Sequence, residues 1–242
     1  MSLRRLKEAD STNDVLKRAL AGADGALPAD GDAVYTDSQT AGRGRRGRAW
    51  ENRPGEALYY SRLVRRPLAD AVTLPLLCSL AAADAVRALC GQEAGVKWPN
   101  DLLLGGKKIC GILCESVTAA GQTSYILGIG INLLQPEEFF AARGLVHGGS
   151  LLSQTGCRST VAAAAAALDA ALARRLPAFA DAGFAAIAGE YRRVCVNLGR
   201  EVFAGEVRGT AAAIDAAGRL VVRTPAGTTT VFTGEVTVHG IY

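Results

Sequence analysis

Residues 97–132 read KWPNDLLLGGKKICGILCESVTAAGQTSYILGIGIN, and this stretch carries the strands on which the predicted fold is built. Leu102–Leu104 and Lys107–Cys110 flank a pair of glycines, a pattern that is typical of a β-hairpin. Gly111–Val117 and Thr123–Ile131 are apolar runs of strand length, so they predict two further strands. Three or four antiparallel strands in succession, with helices before and after them, indicate an α+β fold.

Helices and strands are also predicted on either side of this stretch. Asp10-Ser-Thr-Asn13 is a helix-start signal, and apolar residues recur after it at helical spacing until Gly22. The remaining predicted helices are Thr73–Leu89, Thr160–Ala180 and Phe184–Arg193, and the remaining predicted strands are Ala33–Asp37 and Ala57–Val64.

The character of the sequence changes near residue 195. Beyond that point, short apolar runs are separated by the turn signals Asp215–Gly218 and Pro225–Gly227, which is the rhythm of a small all-β barrel. A chain of 242 residues is long enough for one large domain with a small appendage. We therefore predict two domains, residues 1–195 and 196–242.

The positive charge of the chain is concentrated in one place. The net charge is +4, and the four arginines Arg43, Arg45, Arg46 and Arg48 equal the whole excess of basic over acidic residues. A protein that binds duplex DNA usually spreads its charge over a face. The pattern instead favours a small anionic ligand.

Cysteine usage and hydropathy indicate a reducing cytoplasm. None of the six cysteines forms a CxxC pair, and the first residues have no apolar signal core. We expect reduced, buried thiols, because zinc would need further ligands nearby. No apolar run is long and clean enough to span a bilayer, so no membrane association is expected.

The cationic stretch is a loop of alternating arginine and glycine, TAGRGRRGRAW at residues 40–50. Glycine lets a backbone approach a ligand closely, and arginine grips a carboxylate or phosphate in two places. Taken alone, such a composition is more often a solvated or RNA-contacting segment. The position between two predicted strands, with Trp50 closing the loop, favours a small-anion site instead.

Two further polar clusters have open interpretations. Lys97-Trp-Pro-Asn-Asp101 is either a structural corner with an Asx turn, or a site where Asp101 holds Mg²⁺ and Lys97 lies near phosphate. Gly128-Ile-Gly-Ile-Asn132 indicates either a flat ligand against the backbone or a β-bulge. No nucleophile triad can be assembled, so electrostatic catalysis of phosphoryl or nucleotidyl transfer is favoured.

Taken together, these motifs resemble, in their order and spacing, the motif series of bacterial biotin protein ligases. The matching segments are Asp10–Asn13, Gln39–Trp50, Lys97–Asp101, Lys108–Leu113 and Gly128–Asn132, with Gly209–Leu220 in the C-terminal part. The resemblance implies a catalytic domain like that of class II aminoacyl-tRNA synthetases, with a mixed, mainly antiparallel sheet. It also implies an SH3-like barrel after that domain.

The family forms biotinyl-5′-AMP from biotin and ATP with Mg²⁺, and passes biotin to a lysine of a biotin carboxyl carrier domain. By resemblance, the biotin-binding residues are Ser11, Thr12, Asn13, Gln39, Gly42, Arg43, Gly44, Arg45, Lys108, Gly111 and Leu113. Those that bind ATP or the adenylate are Arg43, Arg46, Arg48, Trp50, Lys97, Asn100 and Asn132. The catalytic residues are Lys108, Arg43, Arg45 and Asp101, and Asp101 would also hold Mg²⁺.

Two departures from the family pattern carry expectations. Repressor-type relatives have a DNA-binding domain before the Ser-Thr-Asn motif, which here begins at Ser11, so no operator binding is expected. Residues 135–149 lack the tryptophan that some relatives place against adenine, and His147 or an aliphatic neighbour would replace it. We expect a monomer or homodimer. The alternatives are a lipoate ligase or octanoyl transferase, which share the fold, and an RNA-binding protein.

Overall fold

The computed structural model describes residues 2–22, 27–50, 53–119, 121–232 and 234–242. The strands are β1 Leu3–Arg5, β2 Ala33–Thr36, β3 Ala57–Val64, β4 Gly95–Lys97, β5 Asp101–Leu104, β6 Lys107–Ala119, β7 Gln122–Asn132, β8 Glu201–Ala204, β9 Val207–Ile214, β10 Leu220–Thr224, β11 Gly227–Val231 and β12 Thr237–Val238. The helices are α1 Thr12–Leu20, α2 Leu74–Cys90, α3 Glu137–Ala141, α4 Leu151–Thr155, α5 Val161–Ala182 and α6 Ala188–Val194.

A mixed sheet with the strand order β1-β2-β3-β7-β6-β5-β4 forms the larger part of the molecule. Its neighbouring strands are antiparallel except β1 and β2, which run parallel. The predicted hairpin is confirmed, because Leu104 of β5 pairs with Lys107 of β6 across the two glycines. The candidate functional residues within the segment 97–132 therefore lie on adjacent strands and on the turns between them.

One predicted boundary within this sheet is wrong. Lys107–Cys110 and Gly111–Val117 were predicted as separate strands, but they form the single strand β6. Gly111 does not interrupt the strand, because it pairs with Asp101 on one side and with Gly130 on the other. A glycine inside a strand is tolerated where another group packs closely on the backbone.

Strand β3 is buried on both faces and separates two layers. Tyr60 and Val64 belong to the core that helices α2 and α5 cover, whereas Leu63 packs with Leu16 of α1. Successive residues of a strand point to opposite faces, so Ser61 lies on the same side as Leu63. The alternation thereby brings one buried hydroxyl beneath the start of α1.

The two long helices that cover the sheet begin and end at recognisable signals. Helix α2 has Thr73 as its N-cap and Pro75 in its first turn, and it ends at Gly91, which has a φ of 67°. Helix α5 begins after Thr160, whose side chain accepts a hydrogen bond from the backbone N–H of Ala163 at 3.1 Å. Both helices lie close to their predicted bounds.

A second, antiparallel sheet with the order β11-β10-β9-β8-β12 forms the C-terminal part. Trp98 joins it to the larger sheet, since its indole N–H donates to the Gly218 carbonyl at 2.9 Å. The backbone N–H of Trp98 donates to Asn197 Oδ1 at 2.7 Å. Buried residues of both sheets share one hydrophobic core. The division at residue 195 stays a prediction.

Residues 135–155 contain two helices of five residues, α3 and α4, that the sequence pattern did not predict. All six cysteines are free thiols, although only Cys78, Cys110 and Cys195 are fully buried, and the other three are half-buried. Burial raises the pKa of Cys195 to about 11. Every helix in the described ranges is too short or too polar to cross a lipid bilayer.

Candidate active site

A cavity of about 650 Å³ opens between the larger sheet, the arginine loop and the C-terminal residues. This volume is within the range of pockets that bind small molecules, about 300–1,000 Å³. The predicted site residues that line it are Ser11, Thr12, Asn13, Gln39, Arg43, Gly44, Arg45, Arg48, Trp50, Lys97, Asn100, Asp101, Lys108, Gly111, Leu113 and Asn132. Segments that are far apart in sequence are therefore brought to one site.

The start of α1 forms one end of the cavity through a buried hydrogen-bond network. Thr12 donates to Gln39 Oε1 twice, from its backbone N–H at 2.8 Å and from its hydroxyl at 3.2 Å. The Ser61 hydroxyl lies 2.7 Å from Thr12 Oγ1 and 2.5 Å from Asn13 Oδ1. The side chains of this end are consequently held in fixed orientations by strand β3 and by the residues after β2.

The Asn13 amide is fully engaged by the protein itself. Its Nδ2 donates to the Leu113 carbonyl at 3.2 Å and to Glu115 Oε2 at 2.7 Å, while Oδ1 meets Ser61. Lys17 of α1 forms an ion pair with Glu115 at 2.6 Å. Asn13 thus links three elements, and its position supports the cavity wall. Ser61 and Glu115 were not predicted, although polar residues inside apolar strands are a signal that could have identified them.

The arginine loop is folded back on itself. Gly44 N–H donates to the Arg48 carbonyl at 2.8 Å, and Trp50 N–H donates to the Gly42 carbonyl at 3.0 Å. Arg46 has a φ of 58°, the left-handed region that a bulky residue rarely adopts. The two backbone hydrogen bonds therefore close the loop into an ordered turn between Gly42 and Trp50.

The four arginines of the loop contact different parts of the molecule. Arg43 pairs with Asp14 of α1 at 2.6 Å. Arg45 donates to Asn100 Oδ1 at 2.7 Å and to the Gly234 carbonyl at 3.2 Å, and burial lowers the pKa of its guanidinium. Arg46 and Arg48 both form ion pairs with the side-chain carboxylate of Glu235, which lies between β11 and β12. The loop is consequently tied both to α1 and to the second sheet.

Two predicted ligand residues do not line the cavity. Gly42 lies beneath the loop, where an added Cβ would be 2.9 Å from Gln39 Nε2 and 3.3 Å from the Trp50 carbonyl. The side chain of Arg46 is 63% exposed and points to Glu235, which is 3.9 Å away. The structure thus gives these two residues a role in the shape and anchoring of the loop, and their predicted ligand contacts stay predictions.

Trp50 explains why glycines occupy two facing strand positions. An added Cβ at Gly111 would lie 2.4 Å from the Trp50 ring, and one at Gly130 would lie 3.3 Å from it. The sequence left a flat ligand or a bulge open at Gly128 and Gly130. A side chain of the protein itself makes the close approach at both, since an added Cβ at Gly128 would lie 2.4 Å from Asn13 Oδ1. Among the residues described, Trp50 Nε1 is buried and lacks a hydrogen-bond partner.

A cluster of charges lies at the opposite end of the cavity. Lys108 Nζ is 2.7 Å from Asp101 Oδ1, and Lys97 Nζ is 3.9 Å from Asp101 Oδ2. Burial lowers the pKa of Lys97 to about 8, and the nearby carboxylate of Asp101 only partly opposes this shift. The cluster presents two cationic groups to the cavity at neutral pH.

The segment after β7 forms the wall beside these lysines. Asn132 Nδ2 donates to the Gly149 carbonyl at 2.9 Å, which joins the end of β7 to this segment. Lys108 N–H donates to the His147 carbonyl at 2.7 Å. His147 lines the cavity and stacks on Tyr242 with ring centroids 4.9 Å apart. Tyr242 was not predicted, because no motif surrounds it in the sequence.

The predicted magnesium site has little protein ligation. In residues 2–22, 27–50, 53–119, 121–232 and 234–242 there is no group of three or more His, Cys, Asp or Glu side chains that could hold a metal. Asp101 already meets Lys108 on one oxygen and the Tyr242 hydroxyl, at 3.0 Å, on the other. Mg²⁺ commonly uses one or two carboxylates with substrate phosphates, so the residues fit only a metal that arrives with a polyphosphate.

Known proteins resemble this chain in sequence over its whole length. The profile of the biotin/lipoate A/B protein ligase family matches residues 8–132, and that of the biotin protein ligase C-terminal domain matches residues 196–238. The biotin–[acetyl-CoA-carboxylase] ligase of Paracoccus denitrificans is 33% identical over 246 residues, covering 97% of this chain and 100% of that protein. The bifunctional ligase/repressor BirA of Bacillus spizizenii is 30% identical over 214 residues, and the alignment spans 86% of this chain and 66% of that relative.

Solved structures share the fold. The biotin protein ligase from Aquifex aeolicus in complex with biotin and ATP has a TM-score of 0.82 at 28% identity, with 98% of each chain covered. The ligase from Leishmania major in complex with biotinyl-5-AMP has a TM-score of 0.65 at 26% identity, covering 95% of this chain and 98% of that one. The predicted α+β fold with a small C-terminal β domain is confirmed.

These matches, over the part of the chain that builds the larger sheet and its cavity, show that the chain belongs to the biotin/lipoate A/B protein ligase family. Within this family, the match of residues 196–238 to the biotin protein ligase C-terminal domain assigns it to the biotin protein ligases.

Proposed function

We propose that this chain is an ATP-dependent biotin ligase that modifies a lysine of a biotin carboxyl carrier domain. One observation carries the proposal: a single cavity joins a hydrogen-bonding end at Thr12 and Gln39 to a cationic end at Lys97 and Lys108. Hydrogen-bonding groups at the first end would hold the ring of biotin. Positive charge at the second end would attract the two reacting anions, the carboxylate of biotin and the triphosphate of ATP.

The first step is adenylation of biotin. A carboxylate oxygen of biotin attacks the α-phosphorus of ATP, the bond from that phosphorus to the bridging oxygen breaks, and pyrophosphate leaves. Lys108 lies on β6 at the cationic end of the cavity and offsets the charge that accumulates at the α-phosphate. Preorganised cations of this kind act most strongly in a site that excludes water.

The second step is transfer to the carrier lysine. The neutral amine attacks the carbonyl carbon of biotinyl-5′-AMP, AMP leaves with the bonding electrons, and the amine loses a proton to solvent. The intermediate is a mixed anhydride that water would hydrolyse, so the site must exclude water between the steps. The arginine loop covers the cavity for this purpose, anchored by Trp50 on the sheet and by Arg45 on Asn100.

Magnesium enters this proposal as a companion of ATP. When bound, it neutralises phosphate charge and polarises the phosphoryl oxygens. Asp101 is the side chain that would contact it, after giving up part of its contact with Lys108. The protein itself then orients the triphosphate through Lys97 and Lys108.

Two alternative functions are less well supported. An RNA-binding role needs cations whose charge is not already offset, whereas three arginines of the loop pair with the carboxylates of Asp14 and Glu235. A lipoate ligase shares the fold, but the match of the C-terminal part is to the biotin protein ligase domain. A cytoplasmic location and a monomeric or dimeric state without DNA binding stay predictions.

The test is to incubate the protein with ATP, Mg²⁺ and either biotin or lipoate, and to weigh a carrier domain by mass spectrometry. We expect pyrophosphate release that depends on biotin, and a carrier mass that increases by one biotinyl group on one lysine. A carrier that carries lipoyl and no biotinyl would refute the proposal. Salt-sensitive RNA binding without pyrophosphate release would favour the RNA-binding alternative.

A further inference from the structure

Tyr242 belongs to the C-terminal sheet region but extends its side chain into the cavity of the larger sheet. Its hydroxyl donates to Asp101 Oδ2 at 3.0 Å. Its ring lies 4.0 Å from Lys97 Nζ and stacks on His147 with an interplanar angle of 20°. One residue therefore contacts an acid, a buried base and an aromatic ring of the site.

The backbone holds this ring in place. The N–H of Val238 donates to the Tyr242 carbonyl at 2.7 Å, and the N–H of Ile241 donates to the Val238 carbonyl at 3.0 Å. Val238 itself pairs with Val202 of β8. The tight turn after β12 thus fixes the direction of the ring relative to the second sheet.

The contacts of Tyr242 determine how Lys97 and Asp101 meet. Lys97 Nζ is 3.9 Å from Asp101 Oδ2, which is beyond hydrogen-bond distance, although both side chains are almost fully buried. The Tyr242 hydroxyl occupies that oxygen, and Lys108 pairs with the other oxygen. A buried ammonium that does not form a close ion pair gains instead from the face of an aromatic ring.

We propose that Tyr242 is a positioning residue for the nucleotide: its hydroxyl and ring together keep the Lys97 ammonium out of a close ion pair with Asp101 and directed to the triphosphate. This inference rests on the proposed function in taking ATP as the ligand. Without the hydroxyl, Lys97 closes onto the vacated carboxylate oxygen. The Lys97 ammonium is then paired with Asp101 and attracts the triphosphate less strongly.

The experiment compares three variants with the unmodified protein. Tyr242→Phe removes only the hydroxyl, Tyr242→Leu removes the ring as well, and Tyr125→Phe removes a hydroxyl of β7 outside the cavity. Calorimetry measures the affinity of each protein for a non-hydrolysable ATP analogue and for biotin. Biotin-dependent pyrophosphate release gives KM for ATP and kcat, and thermal unfolding shows that each variant is folded.

We expect Tyr242→Phe to weaken binding of the ATP analogue at least about tenfold, because Lys97 then pairs with Asp101 and attracts the triphosphate less strongly. Affinity for biotin and kcat at saturating ATP should remain unchanged, and Tyr125→Phe should behave like the unmodified protein. A merely structural role would lower both affinities together, and this result would overturn the inference. Unchanged analogue affinity in Tyr242→Phe would also overturn it.

Two further outcomes test the positioning role of Tyr242 and the proposed function separately. Tighter binding of the ATP analogue by Tyr242→Leu would mean that the ring obstructs the nucleotide, which contradicts a positioning role. Absence of biotin-dependent turnover in the unmodified protein would refute the proposed function alone. The analogue affinities would still decide whether Tyr242 directs Lys97 to a triphosphate.

Discussion

At the scale of single residues, the site depends on how buried charges are paired. Asp101 lies between Lys97 and Lys108, and these distances differ by more than 1 Å, at 3.9 and 2.7 Å. Removing water strengthens such interactions, and it also makes an unpaired charge costly. Substitutions of the two lysines should therefore have different consequences.

Lys108→Ala should strongly slow adenylate formation while the fold is kept. Loss of one preorganised donor at a reacting anion lowers a rate by about 10²–10³. The side chain of Lys108 is 29% exposed, so its removal creates no large buried cavity. The matched control is Lys107→Ala, which removes the neighbouring lysine of the same hairpin. Biotin-dependent pyrophosphate exchange measures the effect, and a normal rate in Lys108→Ala would show that its assigned role is wrong.

Lys97 should make ATP binding depend on pH. Burial lowers its pKa from 10.5 to about 8, so the ammonium is present below pH 8 and is lost as the pH rises through that value. KM for ATP should therefore increase between pH 7 and pH 9.5, and Lys97→Arg should flatten this increase. A KM that does not vary with pH would contradict the assignment. The free energy of unfolding should also increase as the pH rises from about 8 towards 10.5. The unfolded chain keeps this proton up to pH 10.5, so the cost of burying the ammonium falls as the pH rises above 8.

At the scale of secondary-structure elements, the arginine loop is the part whose contacts matter most. It is short, yet its side chains reach α1 through Asp14 and the Lys97–Asp101 corner through Asn100. Its end is fixed where Trp50 packs on two glycines of the sheet. Such an element can change its order with a ligand while its anchors remain in position.

Arg45→Gly should loosen the loop, so that activated biotin escapes from the site. The substitution removes the hydrogen bonds to Asn100 Oδ1 and to the Gly234 carbonyl. We expect biotin on lysines of a bystander protein, measured by streptavidin blotting, to increase severalfold. Arg53→Gly, in the exposed turn before β3, serves as the control. Bystander labelling equal to that of the control would rule out a retaining role for Arg45.

Element prediction from the sequence succeeded where the local signal was strong. Helix α2 has an early proline and a terminal glycine, and β3 is a strand-length segment in which six of eight residues are apolar or aromatic. The short helices α3 and α4 have five residues each, so tertiary contacts rather than propensity maintain them. Gly111 was misread as a strand end, because its partner Trp50 is distant in sequence.

The sequence predicted those residues of the site that belong to recognisable motifs. The residues of the Ser-Thr-Asn, arginine-loop and Lys97–Asp101 motifs line one cavity. Tyr242, Ser61 and Glu115 were missed, because their roles come from hydrogen bonds across more than 40 positions of sequence. Such pairings depend on strand order and register, which the residue pattern alone does not specify.

At the scale of the whole molecule, the second sheet completes the site that the first sheet begins. Glu235 pairs with Arg46 and Arg48, and the Gly234 carbonyl accepts from Arg45. Trp98 and Asn197 secure the junction between the two sheets. The C-terminal part is therefore expected to influence turnover as well as stability.

Glu235→Gln should impair closure of the arginine loop with little change in stability. The paired side chains are largely exposed, and pairs of this kind contribute about 0–1 kcal/mol to folding. We expect faster hydrogen exchange of the amides of residues 43–50 and a severalfold higher KM for ATP. Glu206→Gln, in the exposed turn between β8 and β9, is the control. Unchanged exchange in the loop would show that the second sheet does not hold it.

The positions of the two tryptophans give the molecule a natural optical readout. Trp98 is 2% exposed at the junction of the sheets, whereas Trp50 lies in the cavity against Gly111 and Gly130. Emission from Trp50 should respond when ligands fill the cavity, and emission from Trp98 should respond when the sheets separate. A Trp50→Phe variant would leave Trp98 as the single tryptophan, so comparison with the unmodified protein would assign each change in emission to one of the two residues without an added label.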